Sequence, residues 1–157
     1  MIYFHTKEIK FSLKNKTILK EWITSIITKT KRNPEEITFV FCSDEYLLKM
    51  NNQYLKHDTY TDIITFDYSE QLPLVNAAKG VSGDIFISID RVKENAVKFS
   101  KSVEEELHRV IIHGVLHLLG YKDKQRAAKA EMTKQEDVCL KALKKMLPQR
   151  HNVTKKD

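Results

Sequence analysis

Residues 102 to 123 read SVEEELHRVIIHGVLHLLGYKD. Ser102 and Glu105 stand in the S-x-x-E arrangement of a capping box, in which a hydroxyl and a carboxylate reciprocally accept the free amide N–H groups at a helix start. From there Val103, Leu107, Val110, Ile111, Val115 and Leu118 recur at the spacing of one helical face. Gly120 is the residue type best able to adopt the left-handed conformation just past a helix end. The spacing therefore predicts one long helix from Ser102 to Gly120, apolar enough to lie at the centre of a core.

Two imidazoles sit inside that apolar run. Residues four apart on a helix share a face, so His113 and His117 can direct ring nitrogens at one ion. The break at Gly120 would let the chain turn back and carry Asp123 to the same point. Three protein ligands with a fourth position open is the catalytic arrangement of a zinc site. An isolated His-x3-His pair is more often incidental, but two unpartnered rings among IIHGVLHLLGY would be costly to bury, and a ligand role removes that cost.

Working outward, Ile2 to Phe11 reads as a short edge strand and Asn15 to Lys31 as a helix with Trp22, Ile23, Ile26 and Ile27 on one face; Asn33-Pro34 stops it. Glu36 to Cys42 alternates as a buried strand, and Ser43 is the N-cap of a helix reaching Tyr54, with Tyr46, Leu47, Met50 and Tyr54 as its stripe. Asp62 to Phe66 is a β-branched strand, Ser69 to Val81 a surface loop, and Gly83 to Ser88 a fourth strand. Asp90 to Phe99 is a short helix with Val92, Ala96, Val97 and Phe99 inward. Ala130 to Leu147 is the last helix, with Met132, Cys139, Leu140, Leu143 and Met146 inward and Pro148 closing it. The order βαβαββααα predicts an α+β fold: a single mixed sheet of about four strands packed with about five helices.

A chain of 157 residues with 41% hydrophobic composition supports one core without disulfides. Residues 1–150 are expected to form a single metallohydrolase domain and 151–157 a disordered basic tail. No stretch has the roughly 20 apolar residues of a membrane span, and the opening segment is no signal-peptide core, which predicts a cytoplasmic protein. Cys42 and Cys139 lack any CxxC partner or nearby His, so buried reduced thiols are expected and no disulfide. Net charge is +6, with eight basic residues against two acidic from Lys7 to Arg32 and six against one from Lys141 onward. Both ends are thus basic, which favours a polyanion in encounter; a solvated Lys-rich surface is an equally good account.

The run HGVLHLLGYKD resembles the signature of the YbeY family of metal-dependent endoribonucleases, H-G-x-L-H-L-x-G-Y-D-H, whose metal ligands stand first, fifth and last. MNNQYLKHDTYTDIITF (residues 50–66) resembles that family's L-N-x-x-Y-R-x-K-D-x-x-T-D-V-L-S-F, and SGDIFIS (82–88) its L-G-D-I-x-I-x strand. The resemblance implies one zinc ion per chain on His113, His117 and Asp123, with His113 and His117 also catalytic. It implies a single-strand endoribonuclease maturing the 3′ end of small-subunit ribosomal RNA and serving ribosome quality control, with ribosomal RNA and the ribosome as partners. Two departures stand out. Asp123 replaces the usual third His, and its hard oxygen broadens tolerance for other divalent metals. The family's Arg falls on Leu55, which cannot clamp a phosphate; the neighbouring Lys56 and His57 could substitute, and Tyr60, placed to stack a base, and Lys122 are further candidate RNA contacts.

The same motif resembles the metzincin protease pattern, with Gly114 where those enzymes place a general-base Glu. A peptidase therefore ranks below a ribonuclease, and a ribosome-associated factor with a structural metal site is the non-enzyme alternative. Asp62 and Asp84 open strands and are read as turn caps more readily than as site residues. His108 lies about 140° round the ideal helix from His113 and faces elsewhere. His5 and His151 look incidental.

Overall fold

The computed structural model describes residues 1–55, 60–69 and 80–148. Among them, β1 (Ile2–Lys7), α1 (Lys16–Lys29), β2 (Asn33–Cys42), α2 (Asp44–Leu55), β3 (Ile63–Asp67), β4 (Gly80–Ser88), α3 (Ile89–Lys98), α4 (Val103–Leu118) and α5 (Arg126–Met146) follow in order. The strands form one mixed sheet, β1-β2-β4-β3, with β3 antiparallel to β4 and the other pairs parallel. The α+β expectation of four strands and five helices holds. Tail residues 151–157 and most of the expected surface loop lie outside the described residues.

Register decides which strand residues meet which helix. Ile63, Thr65 and Asp67 pair across from Ile87, Ile85 and Gly83, so these positions share one face of the sheet. That face receives α4: an added Cβ at Gly114 would lie 2.9 Å from Ile85 Cγ2, and one at Gly83 would lie 2.8 Å from Leu118 Cδ2. Both glycines thus let helix and sheet approach closely. The opposite face carries Ile64, Phe66 and Phe86 against Leu47, Tyr46 and Met50 of α2. The main core, with Trp22, Phe39, Phe41, Ile85 and Ile111, lies on the α4 side. Trp22 Nε1–H donates to the Cys139 carbonyl at 2.8 Å, satisfying the one polar group of a fully buried ring and tying α1 to α5.

Several boundaries move for local reasons. β1 ends at Lys7 rather than Phe11 because Glu8 turns into positive φ (54°), after which Ile9 and Phe11 pack partly buried against the core. β2 begins at Asn33, three residues early, with a bulge at Glu35 between the Pro34–Val81 and Glu36–Ser82 pairs. β4 begins at Gly80, so the end of the expected loop is strand. α5 begins at Arg126, four residues early: Gln125 caps it without a side-chain bond, so no capping signal marked the start.

Side-chain directions also change. α3 buries Ile89, Val92 and Ala96, which leaves Val97 82% exposed, and Phe99, just past the helix end, is exposed beneath the Lys98 ammonium. Val103, Tyr54 and Met146, expected inward, are exposed at helix ends where the core no longer reaches. Cys42 and Cys139 are buried free thiols, as read. No helix of the described residues is long and apolar enough to cross a membrane.

Candidate metal centre and its cleft

α4 starts on the predicted capping box: Ser102 Oγ accepts the Glu105 N–H at 3.0 Å and the Glu105 carboxylate accepts the Ser102 N–H at 3.0 Å. It ends as the sequence required. The Tyr121 N–H donates to the Leu116 carbonyl and the Gly120 N–H to the His117 carbonyl, both at 3.0 Å. Those two bonds reverse the chain around Gly120, whose φ of +102° suits no L side chain. The reversal brings Asp123 back onto the histidines.

His113 Nε2 and His117 Nε2 lie 3.1 Å apart, and Asp123 Oδ2 lies 3.2 Å from the first and 3.3 Å from the second. Zinc bonds of about 2.0–2.1 Å at the tetrahedral angle separate neighbouring ligand atoms by about 3.3–3.4 Å. The triangle has nearly that edge on every side. Two imidazole nitrogens and one carboxylate oxygen are, moreover, a donor set that zinc accepts. These residues fit a divalent ion.

A fourth residue orients the triangle. His113 Nδ1 is 2.6 Å from Glu136 Oε2 of α5, and Arg109 binds Glu136 Oε1 at 2.7 Å and Asp137 at 2.6 Å. With Nδ1–H donated to this carboxylate, Nε2 keeps its lone pair facing Asp123. Glu136 is almost wholly buried. Burial pushes the His113 pKa down, yet the hydrogen bond and charge of Glu136, with Asp123 and Asp62 behind them, leave it above the usual imidazole value. The sequence reading missed Glu136, although a signal was present: it occupies a core-facing place on α5, in phase with Met132, Cys139 and Leu143.

The triangle opens on a cleft of about 740 Å³ along β3, lined by Leu55, Thr61, Asp62, Thr65 and Lys124 among others. Asp62, read mainly as a turn cap, lies in this cleft, and its pKa is raised chiefly by burial against the opposing pull of His113 and Arg91. Asp84 is on the other face of the sheet beside Tyr68. Lys122 lines a second cleft next to His117 and Asp123. Tyr60, 51% exposed, lies under the Arg91 guanidinium at 4.7 Å, and Asp44 holds that Arg at 3.1 Å. Lys56, His57 and His151 lie outside the described residues. His108 faces away, as expected, edge-on to Trp22, and His5 is on the far edge strand.

The family model described as endoribonuclease YbeY matches residues 1–144. Curated relatives of that name include one from Karelsulcia muelleri, 49% identical over 138 residues and covering 88% of this chain and 93% of the relative. Another, from Cytophaga hutchinsonii, is 48% identical over 140 residues with the same coverage. The solution structure of TM1509 from Thermotoga maritima superposes with a TM-score of 0.62 at 26% identity, covering 91% of this chain and 89% of that one. With the ligand triangle on the helix that carries the motif, and with relatives matched over nearly their whole length, the chain belongs to the endoribonuclease YbeY family.

Proposed function

We propose that this protein is a metal-dependent endoribonuclease that cuts single-stranded or loop RNA in the cleft beside His113, His117 and Asp123. The observation that carries the reading is the ligand triangle, open on one side to a cleft along β3, in a chain whose relatives are named for this activity. A loop offers its phosphodiester and bases to such a cleft as an A-form duplex does not.

A divalent ion, zinc by the donor set, would be held by the two Nε2 atoms and Asp123 Oδ2, and would supply a Lewis acid and a water of lowered pKa. The chain supplies the rest. Glu136 holds the His113 proton at Nδ1, and Arg109 balances the buried carboxylate. Asp62, which lines this cleft and faces Asn95 Nδ2 at 3.5 Å, is the carboxyl we assign to exchange a proton with substrate or water. The narrower substrate we propose is the 3′ end of small-subunit ribosomal RNA, on the ribosome and in the cytoplasm. Its support is the family resemblance together with the basic net charge.

A peptidase reading is disfavoured at Gly114. A side chain there would run into Ile85 and Ile63 of the sheet, so the position that carries a general base in metzincins is filled by packing here. Metal-loaded protein should cleave a fluorescent single-stranded RNA and leave casein intact, and both chelation and His117→Ala should abolish cleavage. Casein hydrolysis without RNA cleavage, or RNA cleavage indifferent to chelation, overturns the proposal.

A further inference from the structure

Two clefts meet at the ligand triangle. The first, along β3, has Leu55 and Asp62 on its wall; the second, about 570 Å³, lies between the Gly120 turn and the start of α5, with Tyr121, Lys122 and Gln125. Asp67, His117, Asp123 and Lys124 line both. The two therefore adjoin at these residues, as the two parts of a groove beside the candidate ligands.

Charge along that groove is mixed. Asp62, Asp67 and Asp123 all line its first part, where Leu55 is neutral, and among the described lining residues Lys124 is the one Lys or Arg. In the second part Lys122 joins it. The carboxylates have partners: Asp67 accepts the Ser69 N–H at 2.9 Å, Asp62 faces Asn95 Nδ2 at 3.5 Å, and Asp123 faces both histidines. Among the described residues Lys122 and Lys124 form no hydrogen bond or ion pair, and both are exposed. Lys122 and Lys124 are therefore the side chains among the described lining residues whose positive charge is left for an anionic strand, beside that of the divalent ion the triangle would hold.

We propose that Lys124 is a phosphate-binding residue of this groove, holding the RNA phosphate adjacent to the one that is cut, and that Lys122 holds the next phosphate along the second cleft. The inference rests on the endoribonuclease reading and adds to it the direction in which the strand leaves the metal. It follows from placement: Lys122 and Lys124 flank the third ligand in sequence, and Lys124 alone of them belongs to both clefts.

The test uses the metal-loaded protein with a single-stranded RNA, following initial rates of cleavage against RNA concentration at several salt concentrations. Lys124→Glu should raise the half-saturating RNA concentration by about tenfold, and Lys124→Ala should lower the salt slope by about 0.7, one single-strand phosphate contact. Lys122→Ala combined with Lys124→Ala should lower the slope by about twice that. Lys124→Arg should restore wild-type binding, and cleavage at saturating RNA should persist throughout. Metal content, measured on each variant, should stay at the wild-type level. Wild type that cleaves alongside a Lys124→Glu variant with unchanged half-saturation and slope overturns this inference and leaves the nuclease reading standing. Loss of metal in both Lys124→Ala and Lys124→Glu also overturns it, since Lys124 would then support Asp123 rather than RNA. Wild type that fails to cleave sinks the parent reading and this inference with it.

Discussion

His113 Nδ1 lies 2.6 Å from Oε2 of Glu136, a contact between two helices whose residues are 23 positions apart. A carboxylate so placed selects the imidazole tautomer that leaves Nε2 as ligand, and such outer partners are commonly worth about 10- to 100-fold in metal affinity. Glu136→Gln should weaken zinc affinity within that range, measured by chelator competition. Glu136→Ala should weaken it similarly and also destabilise the fold, because Arg109 loses a partner at 2.7 Å. Wild-type affinity in Glu136→Gln would show that packing alone orients His113.

Asp123 closes the triangle at 3.2 and 3.3 Å from the two imidazoles. Asp123→Ala should cost metal affinity, and Asp123→His should preserve or strengthen it by restoring the imidazole ligand usual in the family. Elemental analysis of dialysed protein, with His113→Ala and His117→Ala as companions, reads the outcome. Full occupancy in Asp123→Ala would place the third ligand elsewhere.

Gly120 makes the turn that delivers that ligand, at a φ of +102°. An L side chain in the left-handed region costs roughly 1–2 kcal/mol. Gly120→Ala should lower the unfolding free energy, measured by chemical denaturation, by about that amount and weaken metal binding in parallel, since Asp123 would no longer be held against the rings. A variant with unaltered stability would mean that the turn relaxes at no cost.

His108, 5% exposed, contributes a pH dependence of definite sign. Burial lowers its pKa, only partly opposed by the nearby Glu104 and Glu105. The unfolded chain therefore takes up the proton first as pH falls through about 6.5, and stability present above that pH is lost below it. His108→Phe keeps an aromatic edge against Trp22 and removes the titration. Chemical denaturation at pH 7.5 and 5.5 should show a smaller acid loss in the variant than in wild type, compared in the same metal state. Equal losses would place the acid sensitivity in other groups.

Much of this molecule was settled by rules that act within a few residues. The Ser102–Glu105 box, the Gly120 reversal, the four-residue spacing of His113 and His117 and the Ser43 cap all rest on hydrogen bonds between near neighbours in the chain, and each is found where the residues require it. So is the alternation of β2, which puts Ile37, Phe39 and Phe41 in the main core. Where no local bond marks a boundary, as at Arg126, the sequence was silent. Val97 and Phe99 show the limit of apolarity as a guide: each is hydrophobic, but burial depends on whether a neighbouring element arrives, and none covers the end of α3. The site divides along the same line. The three residues that could hold an ion belong to one helix and its turn, and their convergence was legible from spacing. Glu136, Arg109 and the Asp62 wall reach the metal centre only because α5 and β3 pack against α4, and that packing is set by the fit of side chains distant in the chain, which no local periodicity encodes.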